Sequence, residues 1–512
     1  MTVADKQSLD ALLRRDNKDG IDPTGDPDID TLLRDIQGNI LKSHGRDRGT
    51  HLFIRFGDPV AGRRWLALMA ARVTSAHRQW KDTAKRAEGM AEAEQLATDQ
   101  EIMYAKSAVR ARSSAFVNLL LSASGYDVLG LERPGDDHYF ERGAKNTVDD
   151  FRDPPWSQWQ SCFQQRIDAV VMVAEDDVAK VEAEVKELLT LLADNGAGTE
   201  IFRQHGVVTR IDNEGQRSLD GPPREPFGFL DGITDPLFFK KDIDKLKARS
   251  CKDHSAPLSL VLVKEPDGRA CGSYVVYRKL RQHIDRFNET RKLLAGKLKE
   301  EDGTQDDEYY HELAGAYLVG RFPDGTPVVK QDKPGGCLDD CFDYSADTDG
   351  MRCPPQAHIR KTNPRGHTGE PNRELSRRIV RRGTSYDETR SDGAGTDGAG
   401  IKLNVGLLFV CMQASIKDQF AFMQDRWSNW DDFPVRGTGP DSLIGQVGAG
   451  TAIMHQWPAE YGDDAKRKIA CPAGGNHPTG DAAKTNLVEL MGAEYFFAPS
   501  LQFLRSCAAQ QP

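Results

Sequence analysis

The sequence predicts strands alternating with helices, α+β or α/β, laid out as two similar halves. Three observations carry this. Strand-like apolar runs recur at long spacing: His51–Phe56, Ile167–Ala174, Gly272–Leu280 and Leu403–Gln413. Each is followed by a helical stretch. The clearest has Val178, Val181, Val185, Leu188, Leu189, Leu191 and Leu192 on a 3.6-residue period. The 512 residues are 38% hydrophobic and 29% charged, a folded balance with ample core. Antiparallel sheets with helices on one face fit a ferredoxin-like βαββαβ unit used twice, although periodicity alone leaves α/β open.

In chain order, residues 1–30 are polar and read as an arm that frays or orders on contact. Residues 31–235 form the first half and 236–512 the second. The first strand stops at Gly57-Asp-Pro59. Residues 60–107 read as helix, with 80–105 polar enough for a solvated insertion. Ala115–Leu121 is an apolar run, with a helix starting at Ser124. Val207–Ile211 reads as a strand, and a charged helix follows Leu280 to residue 300. A further helix runs through Phe420 and Trp430. Ser391–Gly400 is a Gly-rich flexible loop, and 462–485 is another.

Charge and composition exclude several classes. A net charge of -10 argues against a nucleic-acid partner, which needs a basic face. No run approaches the ~20 apolar residues that cross a bilayer, so no membrane role is expected. The N-terminus lacks an apolar signal core. It points to the cytoplasm, although a processed secreted chain would look the same. Of nine cysteines, Cys337 and Cys341 form a CxxxC pair near Cys353. That spacing, without a fourth ligand, does not make a zinc site, and reduced thiols are expected.

Three segments carry chemistry. In Glu225-Pro-Phe-Gly-Phe-Leu-Asp-Gly-Ile-Thr-Asp-Pro236, Asp231 sits among Phe227, Phe229, Leu230 and Ile233. A carboxylate desolvated by apolar neighbours suits acid–base work, although Asp-Gly is also an ordinary turn. In Ala357-His-Ile-Arg-Lys-Thr-Asn-Pro-Arg365, a neutral imidazole stands in a basic setting. Imidazole is a good haem-iron ligand, and nearby arginines suit haem propionates. In Arg378-Ile-Val-Arg-Arg-Gly-Thr-Ser-Tyr386, a fixed positive charge could act beside a reacting oxygen.

Together these segments resemble the dye-decolourising peroxidases, haem enzymes of the dimeric α+β barrel group. Gly228-Phe-Leu-Asp-Gly232 matches the GxxDG motif, 357–365 the segment with the proximal histidine, and 381–386 the segment with the distal arginine. The likeness continues in Asp35–Ile40, Gly272–Arg281, Gly406–Cys411 and Gly492–Ser500, from residue 32 to the C-terminus. It looks most like the larger fungal and bacterial members.

The resemblance implies one haem b per chain, with His358 as iron ligand, Asp441 as acceptor for its other ring N–H, and Arg365 on a propionate. It implies Asp231 and Arg381 on the opposite face, where they drive O–O cleavage, with Arg382 as the neighbouring alternative to Arg381. Leu407 and Phe409 would cap the small pocket there. Surface aromatics relay electrons in such enzymes, and Trp427 and Tyr386 are the positional candidates. Hydrogen peroxide and a phenolic or dye-type aromatic reductant are the implied partners. Manganese(II) oxidation would use carboxylates such as Asp306-Asp-Glu308 or Asp339-Asp340. Other readings are chlorite decomposition on the same barrel, a non-enzymatic haem-delivery protein, and a protein without cofactor. Oligomeric state is not visible in the sequence.

Overall fold

The computed structural model describes residues 9–96, 98–111, 114–211, 221–247, 254–336, 340–388, 404–446, 454–462, 467–472 and 486–509. The apolar runs become strands. They are β1 (Arg48–Phe56), β2 (Phe116–Ser122), β3 (Ala169–Glu175), β4 (Gly198–Val207), β5 (Cys271–Gln282), β6 (Thr384–Asp387), β7 (Val405–Gln413) and β8 (Val488–Ala498). β2 and β3 are buried along their whole length, which explains their nearly unbroken apolar sequence.

These strands form one sheet in the order β6-β7-β5-β8-β2-β3-β1-β4, and every neighbouring pair is antiparallel. β4-β1-β3-β2 and β6-β7-β5-β8 are two ferredoxin-like units, so the class is α+β. They join where β8 meets β2, with Phe496 opposite Ser122. The far ends also meet. A Cβ at Gly206 on β4 would lie 2.5 Å from Thr384 Cγ2 on β6. Lys279 on β5 reaches Gln204 Oε1 at 2.7 Å and Glu388 Oε1 across that seam. The sheet therefore curls into a barrel.

The helices follow the amphipathic stretches, with corrections. Residues 60–107 are not one helix but α1 (Pro59–Met69), α2 (Ala76–Ala93) and α3 (Asp99–Ala111). The polar insertion is a pair of packed helices, in which Gly89 lets the Val109 side chain close in. The helix after β2 begins at Ala123, capped by the Ser122 hydroxyl, one residue before the expected start. β4 precedes the expected strand and ends at Val207, its exposed Arg203 and His205 hiding the pattern, while Thr209–Arg210 within the expected run is a separate two-residue strand paired with Pro223–Arg224. In the second half α5 (Ile284–Glu301) is followed by α6 (Asp307–Val319), which the reading lacked. After β7 come two π-helical turns, Ile416–Ala421 and Met423–Ser428, which stop before Trp430. The Gly-rich loop 391–400 lies outside the described residues. Within 462–485, Lys468–Pro472 is a strand paired with Met454–Pro458.

In the N-terminal arm, Leu12, Leu13 and Ile21 are buried, and Ile21 pairs with Phe239. Cys341 is disulfide-bonded, its partner lying outside the described residues, which overturns the expectation of reduced thiols throughout. Among the described residues, no helix is long and apolar enough to cross a membrane.

Two apolar cores result. The larger fills the barrel and its covering helices. The smaller gathers Phe229, Phe287, Leu294, Tyr317, Leu443 and Trp457 around α5 and α6. Half-buried apolar residues pack against both: Leu280, Phe409 and Phe433 against the first, Phe227 and Ile444 against the second.

Candidate active site

His358 opens a five-residue helix, α7 (His358–Thr362), held between the two cores. Neighbouring cations fix it. Arg360 is fully buried and bonds the Asp347 carboxylate at 2.9 Å, with its guanidinium 4.4 Å from the Tyr344 ring centre. Lys361, also fully buried, donates to the Trp430 carbonyl at 2.7 Å. Gly320, which ends α6 at φ +100°, lets Ile359 approach. A Cβ there would lie 2.3 Å from Ile359 Cγ1.

His358 Nδ1 lies 2.9 Å from Asp441 Oδ2. The buried Asp441 is itself fixed, its Oδ1 accepting from the Leu443 and Ile444 N–H groups at 2.8 and 3.0 Å. Burial would lower the His358 pKa, but the charge and hydrogen bond of Asp441 raise it above the usual imidazole value. Burial pushes Asp441 up, yet His358 holds its carboxyl below the usual range. Asp441 is wholly buried, while the His358 side chain keeps 30% exposure with Nδ1 engaged.

Arg381 and Glu225 are near enough for their charges to act on His358. Arg381 is exposed and its guanidinium donates to the Thr234 carbonyl. Thr234 lies three residues beyond Asp231 in the same segment. Asp231 differs from the expectation in its surroundings. It is half-buried rather than packed among aromatics, because Phe229 enters the smaller core and Phe227 stacks on Phe287 at 4.4 Å. Its Oδ1 accepts from the Gly232 N–H at 2.7 Å.

The desolvated carboxylate is Glu225, which sequence reading missed. Its oxygens accept from Phe227 N, Phe229 N and Gln282 Nε2 at 2.9, 2.9 and 2.6 Å. Burial pushes it up to about 6 against those bonds, with the charge of Asp231 adding to the rise. Its signal was a glutamate opening an aromatic turn.

Arg382 is buried and spent on structure, bonding Asp235 at 2.6 Å and the Asn39 and Ile40 carbonyls. Arg365 stands at φ 48°, over the Phe342 ring at 4.1 Å. It bonds Asp340 Oδ1 at 2.9 Å and Thr234 Oγ1 at 3.2 Å. Asp340 is shared with Arg321 and is therefore no open metal carboxylate. Asp306 caps α6 and Asp307 pairs with Lys299, while Asp339 lies outside the described residues. Leu407 and Phe409 alternate on one face of β7, both half-buried, with Leu407 opposite Leu280. Trp427 and Tyr386 are not surface residues. Trp427 is buried and stacked on Phe433 at 5.3 Å, and Tyr386 is buried under the Lys279 ammonium.

The sequence matches two family domains end to end: residues 35–207 the DyP dimeric alpha+beta barrel domain, and residues 223–433 the Dyp-type peroxidase C-terminal domain. The chain belongs to the Dyp-type peroxidases. It is 32% identical to the multifunctional dye peroxidase DyP2 of an Amycolatopsis species, over 93% of this chain and 96% of that one. It is 30% identical to a dye-decolorizing peroxidase of Mycetinis scorodonius, over 78% and 77%. The crystal structure of an Anabaena DyP-type peroxidase superposes with a TM-score of 0.79 at 33% identity, covering 97% of this chain and 99% of that one. The protein is thus an enzyme, a haem peroxidase of the dye-decolourising type, a family that works with hydrogen peroxide and a reducing substrate.

Proposed function

We propose that this Dyp-type peroxidase binds one haem b at His358 and oxidises phenolic or dye-type aromatic substrates by one-electron steps. The observation that carries this is His358, fixed through Nδ1 by a buried carboxylate, with 30% of its side chain exposed and the Arg381 charge acting on it. The residues fit the group. Leu280, Leu407, Phe409 and Ile444 offer half-buried apolar walls to a flat macrocycle, and Arg365 offers a guanidinium to a propionate. His358 would ligate the iron, and Asp441 would strengthen its donation. When bound, haem supplies an iron that accepts the oxidising power of peroxide.

The chain's own groups move the proton and the charge. Asp231 Oδ1 is committed to the Gly232 N–H, so Oδ2 takes the proton from one peroxide oxygen and returns it to the other. Arg381 stabilises the anion formed between those events, a role Arg382 cannot share because its donors are spent. Leu407 and Phe409 exclude water and bulky reductants. Electrons then come from outside the pocket, and Trp427, stacked on Phe433 beside the His358 helix, is the better-placed relay.

The test is the absorbance spectrum before and after one equivalent of hydrogen peroxide. A Soret band that converts rapidly and returns with a phenol is expected. A band indifferent to peroxide would instead mean haem delivery. At least one of Asp231→Asn and Arg381→Leu should slow the peroxide step by about 10²-fold or more with haem still bound. Wild-type rates in both would break the assignment.

A further inference from the structure

Behind the His358–Asp441 pair lies a buried cation that the reading above leaves unused. Lys361 follows His358 by three residues, about one helical turn, and is fully buried. Its Nζ donates to the Trp430 carbonyl at 2.7 Å and lies 5.9 Å from the Phe433 ring centre. Among the described residues no carboxylate comes within ion-pairing distance of it. The acids whose charges reach it are Asp441, Asp431 and Asp432. Burial pushes it down to about 7 against their pull.

His455, on the strand Met454–Pro458, shares this region and is 1% exposed. Neither of its ring nitrogens makes a hydrogen bond of normal geometry, although the Pro440 carbonyl is close. Burial first, then the Lys361 charge, push its imidazole to about 4, so it stays neutral. Below about pH 7 Lys361 thus carries a buried charge that packing does not require. A side chain of similar length with one N–H would satisfy the Trp430 carbonyl without the desolvation cost. Its charge couples to Asp441 as well as to His455, Asp431 and Asp432.

A carboxylate on the far ring nitrogen increases the electron density a histidine gives to iron, which lowers the reduction potential. A cation near that carboxylate in a low-dielectric interior works in the opposite sense. We propose that Lys361 is a positioning residue: its ammonium restrains the donation of Asp441 through His358 and holds the haem reduction potential above the value that pair alone would set. The proposal rests on the haem assignment made above.

The test uses the haem-loaded protein at pH 6, where Lys361 is protonated, and reads the ferric/ferrous midpoint by spectroelectrochemistry, with the iron–histidine stretch by resonance Raman. Lys361→Gln keeps an N–H for the Trp430 carbonyl and removes the charge, while Lys361→Arg keeps the charge. The Gln variant should show a lower midpoint and a higher stretching frequency, and the Arg variant should stay near wild type. Unmoved readings in the Gln variant, or equal movement in both, would overturn the role of Lys361 and leave the haem assignment standing. A wild-type protein that takes up no haem would overturn both. Should the Gln variant not fold, Lys361→Met is read in the same way.

Discussion

The two halves of the barrel use the same βαββαβ unit and finish it differently. In the first half the helix α4 (Val178–Asp194) lies on the sheet, with Val181, Val185, Leu188 and Leu192 each at 4% exposure or less. In the second half the matching stretch, between β7 and β8, is the pair of π-helical turns. They bury Ile416 and Phe420 at one side and leave Leu280, Leu407 and Phe409 half-buried. Uncovered apolar area costs about 25 cal/mol per Å². One face is therefore spent on stability, and the other keeps its apolar surface for a flat group. Wider turns of this kind recur where helices serve sites.

Replacing His358 by Ala should have the largest effect. Ordinary iron ligation is lost, seen as a missing or altered Soret band. A spectrum unchanged from wild type would mean that the open face does not hold the iron. Next, Leu188→Ala should cost the haem-free protein about 2–5 kcal/mol, whereas Leu407→Ala should cost about 1 kcal/mol or less, by denaturant unfolding. Equal costs would erase the contrast between closed and open faces.

The smallest effect concerns Glu225, whose folded-state pKa is raised to about 6 from 4.5, burial being the main cause. The folded protein holds that proton more tightly, so the associated stability is present below pH 4.5 and lost as pH rises through 6. The change is about 1–2 kcal/mol. Glu225→Gln should flatten this slope in thermal melts across that window. An unchanged slope would place the titration elsewhere.

Much of this was legible because the signals are local. The apolar runs of β2 and β3 and the period of Val178–Leu192 specify elements without reference to partners. His358, Asp441, Asp231 and Arg381 were legible as motif residues, and of these the structure pairs His358 with Asp441. What stayed hidden depends on packing. β4 has one face in solvent, and its Arg203 and His205 disguise it. Asp231 looked desolvated because its aromatic neighbours are adjacent in sequence. In space Phe227 and Phe229 turn away into the smaller core, and the desolvated acid is Glu225. Trp427 and Tyr386 looked like surface relays because aromatic residues give no sequence sign of their depth.

The seam between β4 and β6 bears on how the chain is made. It joins strands contributed by opposite halves, as does the β8–β2 junction. A ribosome delivers the first half alone, with both outer strands of its four-stranded sheet carrying unpaired N–H and C=O groups. Such edges are templates for pairing with other chains. They are protected only after residue 498 has been synthesised and β8 can dock. The interval between those events is the period in which this protein is most exposed to aggregation. Slow translation of the second half, or its truncation, should therefore harm yield more than an equal change to the folded protein's stability.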